Sequence, residues 1–267
     1  MILAMNVNNS YISIGIFENN SNCNILNTFS ISSDINRTSD EYASVIRSIF
    51  EHSKVDILGF KGAIVSSVVP QLTDMVSETV CKLIGIMPVI VGPGVKTGFS
   101  IKIDSPSEMG ADLVANAAAI VVENKEREVK KASVIIDLGV ANTIFAINRF
   151  GEYIGGCIFP GIKLSLDSLH SSTAQLPNVT MSLPEKAIGK NSRESLCSGV
   201  ILGNAIMIDG FIDRFAKEMR CKKDELEIYA TGKYAELVLK ACAHTIEYRP
   251  TLTLDGLYYI YMKNKIN

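Results

Sequence analysis

Ile2-Leu3-Ala4-Met5-Asn6-Val7-Asn8-Asn9-Ser10 opens the chain, and a close copy returns at Val134-Ile135-Ile136-Asp137-Leu138-Gly139-Val140-Ala141-Asn142-Thr143. Each reads as a buried apolar strand, a turn of small polar residues and a second strand, over Tyr11 to Phe17 and Ile144 to Ile147. One such hairpin at the head of each half predicts a duplicated α/β fold with a phosphate-gripping turn in each copy. The copies differ where chemistry would sit. The second carries an acid and a glycine, Asp137 and Gly139; the first carries amides, Asn6 and Asn8.

Outward from the first hairpin, a strand is expected near Asn24 to Ile31 and a helix over Thr38 to His52, with Ser39 as its cap. Gly62 to Val68 reads as a short buried strand ended by Pro70, followed by a helix from about Gln71 to Ile84 and a strand at Pro88 to Val91. The spacing predicts a helix over Ser107 to Val122, whose Ala115, Ala117, Ala118 and Ala119 permit tight packing. The charged run Glu123 to Lys131 reads as a solvated connector, which divides the chain into domains at 1–122 and 132–267. Beyond the second hairpin, helices are expected over Leu164 to His170, Ser192 to Met219 with a break near Gly203, and Ala235 to Ala241. Asn178 to Lys190 is loop-like, Glu227 to Gly232 reads as strand then glycine turn, and Leu254 to Lys263 as a closing structural helix.

The 267 residues suit two domains, and a composition 47% hydrophobic and 20% charged supplies sizeable cores. A net charge of −2 advertises neither nucleic acid nor an anionic membrane, so a phosphate ligand has to be gripped locally. The longest apolar stretches, such as Ala132 to Leu138, fall far short of the roughly 20 residues of a membrane span. Met1-Ile2-Leu3 lacks a basic leader, so a cytoplasmic location is the default expectation. Six scattered cysteines read as free thiols, several of them buried, and the three histidines show no i, i+4 pair for a metal.

Asp137 follows an apolar strand and is expected at its end, in the turn. There its carboxylate suits a cation-phosphate site, holding Mg²⁺ or K⁺, while turn amides and Thr143 bond phosphate oxygens; aspartate also simply supports turns. Asp112 lies near the start of a helix, where an acid is favourable for electrostatic reasons alone and where a general base for a substrate hydroxyl could equally stand. Gly92-Pro93-Gly94-Val95-Lys96-Thr97-Gly98 is either a surface turn or the lip of an active site.

Over essentially its whole length the chain resembles type III pantothenate kinases. The matching stretches are Ser66-Ser67-Val68-Val69-Pro70, the glycine-rich loop 92–98, Gly110-Ala111-Asp112, Asp137-Leu138-Gly139, Gly155-Gly156 with Pro160-Gly161, Ala174-Gln175-Leu176-Pro177, Ile188-Gly189-Lys190-Asn191 and Leu252-Thr253-Leu254-Asp255-Gly256-Leu257. The resemblance implies two ribonuclease H-like domains of the actin-like ATPase superfamily, mixed sheets flanked by helices, with ATP between them. It implies phosphorylation of pantothenate by ATP, using Mg²⁺ and a monovalent cation, K⁺ or NH₄⁺, in a homodimer; the charge and composition give no nucleic acid or membrane partner. Asp112 matches the family's base and Asp137 its phosphate-loop acid, with Asp137 and Asn6 as the metal positions. Asn6, Asn8, Asn9, Ser10, Gly139, Asn142, Thr143, Thr231 and Gly232 fall at nucleotide positions, and Gly98, Ile103, Gly110, Leu113, Thr173 and Ser192 at substrate positions.

The departures fall in every pocket. The family's first phosphate motif, Asp-x-Gly-Asn-Thr, is here Asn6-Val7-Asn8-Asn9-Ser10; Gly-Ala-Asp-Arg ends in Leu113, a tyrosine is Ile103, Ala-Thr-Gly-Gly ends in Lys233, and a threonine is Ser192. Asn6 can reach a cation through its carbonyl but brings no charge. Alongside the kinase reading these losses raise two others. One is a catalytically weak or inactive homologue that binds a ligand as a regulator, or joins an active paralogue in a heteromer. The other is a kinase for a different small hydroxy acid or alcohol.

Overall fold

The computed structural model describes every residue except Ser21, Glu126, Ile266 and Asn267. In chain order the elements are β1 Ile2–Val7, β2 Tyr11–Phe17, β3 Ile25–Ser32, α1 Ser39–His52, β4 Gly62–Ser67, α2 Pro70–Ile84, β5 Val89–Ile90, β6 Ser100–Ile101 and α3 Ala111–Lys125. They continue with β7 Ala132–Leu138, β8 Ala141–Ile147, β9 Glu152–Pro160, α4 Ile162–Ser172, α5 Ser192–Cys197, α6 Gly203–Glu218, β10 Leu226–Thr231, α7 Ala235–Leu239, β11 Glu247–Tyr248 and α8 Leu252–Asn264.

The chain forms two compact units. The first holds residues 1–99, 105–123 and 251–267, the second 100–104 and 124–250. The expected division at 123–131 gave the closing helix to the second half; instead α8 packs in the first unit, against β1 and β4. The cause is steric and apolar: Leu254, Leu257, Tyr258 and Ile260 share a core with Ile2, Ala4 and Ile64.

The first sheet runs β3-β2-β1-β4-β5 and the second β11-β10-β7-β8-β9-β6. Read from the other edge, β9-β8-β7-β10-β11 repeats the first order, and β6 is an added strand parallel to β9. Pairing directions repeat as well: the central strand is antiparallel to its hairpin partner and parallel to the strand on its other side. Even the irregularity recurs, at Ile16/Phe17 and at Ala146/Ile147. This is the ribonuclease H-like arrangement, twice.

β1 is buried on both faces, as a near-continuous apolar strand between helical layers should be. Leu3, Met5 and Val7 meet Tyr42, Ile46 and Phe50 of α1 and Leu72, Val76 and Val80 of α2. The opposite face carries Ile2 and Ala4, covered by Val114, Ala115 and Ala118 of α3 and by α8. In the second unit Val134, Ile136 and Leu138 pack on Ile162 and Leu166 of α4 and on Ala205, Ile208 and Ile212 of α6.

Several local expectations shift. The cap of α1 is Thr38, whose Oγ1 accepts from Glu41 N–H while Glu41 reaches back to Thr38 N–H; Ser39 is buried inside the first turn and bonds Lys82 Nζ. α3 starts at Ala111, after a single 3₁₀ turn at Pro106–Glu108. From Ser192 to Glu218 the chain is helical without interruption for 27 residues, with a π turn at Ser198–Leu202 where a break was expected. By length and composition this run is long and apolar enough to cross a membrane, which the reading of the longest apolar stretches missed. Its Leu196, Val200, Ala205, Ile208 and Ile212 line the core of the second unit. Of the six free cysteines only Cys197 is buried; Cys157 and Cys242 sit at the rim of that core.

Candidate active site

β1 reaches Val7, and the turn that follows is closed by Asn8 N–H donating to the Tyr11 carbonyl at 3.0 Å. Asn9 and Ser10 are exposed. Among the described residues only Lys54 and Arg220 are non-glycines with left-handed backbones, so Asn8 replaces the family's glycine without strain. Asn6 stands one residue before the strand end, level with Ser13 on β2 and Ser66 on β4. Ser66 Oγ donates to Asn6 Oδ1 at 2.5 Å, with both side chains buried.

The second copy has the same register. Asp137 lies within β7, not in the turn, level with Thr143 on β8 and Thr231 on β10. Asp137 is half-buried and Thr231 buried. Thr143 Oγ1 and Asn142 Oδ1 are buried polar atoms with no hydrogen-bond partner. Asn142 Nδ2 donates to Asn204 Oδ1 at 2.7 Å, and Asn204 Nδ2 to the Val200 carbonyl, in the π turn, at 2.6 Å. Two glycines close in on this loop. A Cβ on Gly161 would collide with the carbonyls of Gly139 and Val140, and one on Gly232, whose φ is 97°, would lie 2.5 Å from the Leu138 carbonyl oxygen.

Asp112 occupies the first turn of α3, on the sheet face that also bears Asn6 and Ser66. Its Oδ1 accepts from Leu113 N–H at 2.8 Å. Burial pushes the carboxyl above the ordinary aspartate range, opposed by the backbone N–H groups of Leu113 and of Asp112 itself. Gly110 makes room for it: a Cβ there would stand 2.6 Å from Asp112 Oδ1 and 3.8 Å from Val68, just past β4. Leu113 is half-buried beside it. Gly94 and Gly98 both have φ of 90°, so the glycine-rich loop needs glycine at these turns. Asn264 of α8 holds that loop, accepting from Lys96 N–H at 3.0 Å and donating to the Lys96 carbonyl at 2.9 Å.

The remaining positions fall in the second unit. Ile103 lies beside Gly155. Thr173 is exposed at the end of α4, its hydroxyl donating to the Leu169 carbonyl at 2.7 Å. Ser192 opens α5 behind Asn191, whose side chain caps the helix by accepting from Glu194 N–H. Ser192 and Asn204 line one cavity of about 730 Å³ with Ser165, Leu169 and Val200. Thus the first unit brings Asn6 and Asp112 to one side of its sheet, with Asn8 in the turn that follows β1, and the second gathers Asp137, Gly139, Thr143, Thr231 and Gly232. Ser66 stood in a stretch that matches the family but was given no role, and Asn204 carried no signal: each acts through a partner 60 and 62 positions away.

A sequence model of type III pantothenate kinases matches residues 2–214. Among solved structures, the chain resembles a protein from Campylobacter jejuni assigned to the Baf family of transcriptional activators, with a TM-score of 0.59 and 19% identity over 98% of each chain. It also resembles the activator of 2-hydroxyisocaproyl-CoA dehydratase from Clostridium difficile, solved with ADPNP, at a TM-score of 0.53 and 11% identity over 100% of this chain and 98% of that one. A glucokinase of the ROK family from Streptomyces griseus, in complex with glucose and AMPPNP, matches with a TM-score of 0.53 and 12% identity over 97% of each. At these identities the likenesses speak for the fold alone.

Proposed function

The chain belongs to the type III pantothenate kinase family, and from that premise we propose that it transfers the γ-phosphoryl group of ATP to the primary hydroxyl of pantothenate, giving 4'-phosphopantothenate for coenzyme A synthesis. One observation carries the proposal. The Asp112 carboxyl is held by a backbone N–H on one oxygen and pushed up in pKa by burial. A base for an alcohol proton works best with a pKa raised toward the working pH, and burial supplies that shift.

The second loop fits a nucleotide phosphate. Thr143 Oγ1 and Asn142 Oδ1 are buried without partners, and Gly139 keeps the turn after Asp137 free of a side chain. Asp137 would hold the cation side of that assembly; Mg²⁺ bound this way needs only one or two carboxylates beside water and phosphate oxygens. Among the described residues no group of three His, Cys, Asp or Glu is placed to hold a metal. The monovalent cation follows from the family resemblance alone. Positioning and charge compensation then do most of the work, as phosphoryl transfer requires. In the second unit Ile158, Ile188 and Ile206 are 73, 83 and 71% exposed, which supports an assembly of subunits. We take that assembly to be a homodimer in the cytoplasm.

Purified protein with ATP, Mg²⁺, K⁺ and pantothenate tests the proposal. ADP release coupled to phosphopantothenate, abolished by Asp112→Asn, supports it. No turnover, even after Asn6→Asp with Leu113→Arg, overturns it. A second reading rests on Leu113, which puts an apolar side chain beside Asp112 where the family motif has an arginine able to grip a carboxylate. On that reading the chain is a weak or inactive homologue, a ligand-binding regulator or partner of an active paralogue, and turnover would emerge only in the mixed assembly.

A further inference from the structure

The two loops offer a ligand different chemistry at equivalent positions. Ser66 Oγ and Asn6 Oδ1 are 2.5 Å apart. That separation suits an O–H···O bond and is short for N–H···O, so the Asn6 carbonyl oxygen faces β4. No acceptor for Asn6 Nδ2 is found among the described residues. Asn6 and Ser66 are 3 and 0% exposed, so packing holds this orientation. The group left for a ligand is therefore a pair of N–H donors. Donors point their positive ends outward; they suit an anionic oxygen and repel a cation, which takes only oxygen ligands here.

We propose that the first loop of this chain grips a nucleotide phosphate oxygen directly through Asn6 Nδ2, and that Ser66 is the positioning residue that turns the amide this way. The metal position expected at Asn6 then does not exist, and Asp137 alone serves the cation. This rests on the nucleotide reading given above.

Calorimetric titration of the whole protein with β,γ-imido-ATP, once in Mg²⁺ and once in EDTA, separates the possibilities. Asn6→Ala should weaken binding by about tenfold in both buffers, the loss of a donor to a charged acceptor. Asn6→Asp should weaken it by about tenfold or more in EDTA, where a carboxylate faces phosphate, with Mg²⁺ restoring most of the loss. Ser66→Ala should reproduce part of the loss in EDTA, and Ser66→Thr, which keeps the hydroxyl, should not. Thermal melts of each variant establish that it is folded. A loss on Asn6→Ala confined to Mg²⁺, or no loss at all, overturns the inference while leaving nucleotide binding intact. If the wild-type protein binds no nucleotide in either buffer, the proposed function falls and the inference falls with it.

Discussion

Two strand ends, Asn6 with Ser13 and Ser66 and Asp137 with Thr143 and Thr231, occupy the same register in repeated sheets but offer opposite chemistry. In the second, an acid stands beside a buried hydroxyl without a partner. In the first, the acid's place is taken by an amide whose oxygen is already bonded inside the protein. The backbone tolerates both: Asn8 is unstrained where its counterpart is Gly139, and a Cβ on Gly139 would meet its nearest neighbour at an ordinary 3.4 Å. Duplication therefore preserved the strand pairing, which the sheet demands, and left the strand-end side chains free to diverge.

The largest effect is expected at the group that neither strand end supplies. Asp112→Asn should lower kcat by about 10³-fold, the scale of a lost general base, in a coupled ADP assay. Because burial raises this pKa, wild-type kcat/KM should fall as pH drops through the raised value. Stability runs the other way. The folded state holds the Asp112 proton more tightly than the unfolded chain, so its contribution is full below the ordinary aspartate pKa and lost as pH rises through the raised one. Asp112→Asn should accordingly melt higher than wild type at neutral pH, and that gain should vanish in acid. A lower melting temperature at neutral pH would contradict the burial argument.

Next in size, Asp137→Asn makes the two strand ends alike. It should cost about 10²-fold in kcat/KM and raise the Mg²⁺ concentration needed for half-maximal rate. A loss as small as that of Asn6→Ala would erase the distinction between the loops. Gly110→Ala probes the first unit without touching charge. A Cβ 2.6 Å from Asp112 Oδ1 must displace the carboxylate, and about a tenfold loss of kcat is expected while the melting temperature stays within a few degrees. The smallest effect is expected for Thr143→Val. Removing a buried hydroxyl without a partner should leave the free protein as stable or slightly more so, yet weaken nucleotide binding by about fivefold. Equal affinity in calorimetry would mean that the hydroxyl never meets a phosphate.

The duplicated hairpins were legible because they are local: apolar runs, a short polar turn and a second run within about 15 residues leave few alternatives. Asp112 and Asp137 were singled out for the same reason, each standing beside a recognisable element end. Other features had no local signature. β6 and β11 are two residues each and exist only because a neighbouring strand offers free hydrogen-bonding groups. The true cap of α1 was misread by one residue, since Thr38 and Ser39 are equally able to cap and only the reciprocal bond with Glu41 decides between them.

The closing helix shows the limit most clearly. Its apolar residues announced a buried helix, but nothing nearby in the sequence announced which sheet would bury it. Gly256 settles that, because a Cβ there would collide with the Ala115 carbonyl, so α8 can lie flush on α3 only with glycine at this point. By itself the sequence determined the two hairpins and most of the helices, and it singled out Asp112 and Asp137 as candidate carboxylates, since periodicity and turn residues act over a few positions. Only the tertiary structure decided that Asn6 turns its oxygen to Ser66 and that α8 joins the first unit. Both depend on strand register and close packing between segments 60 or more positions apart, and such contacts become specific only when the sheet closes.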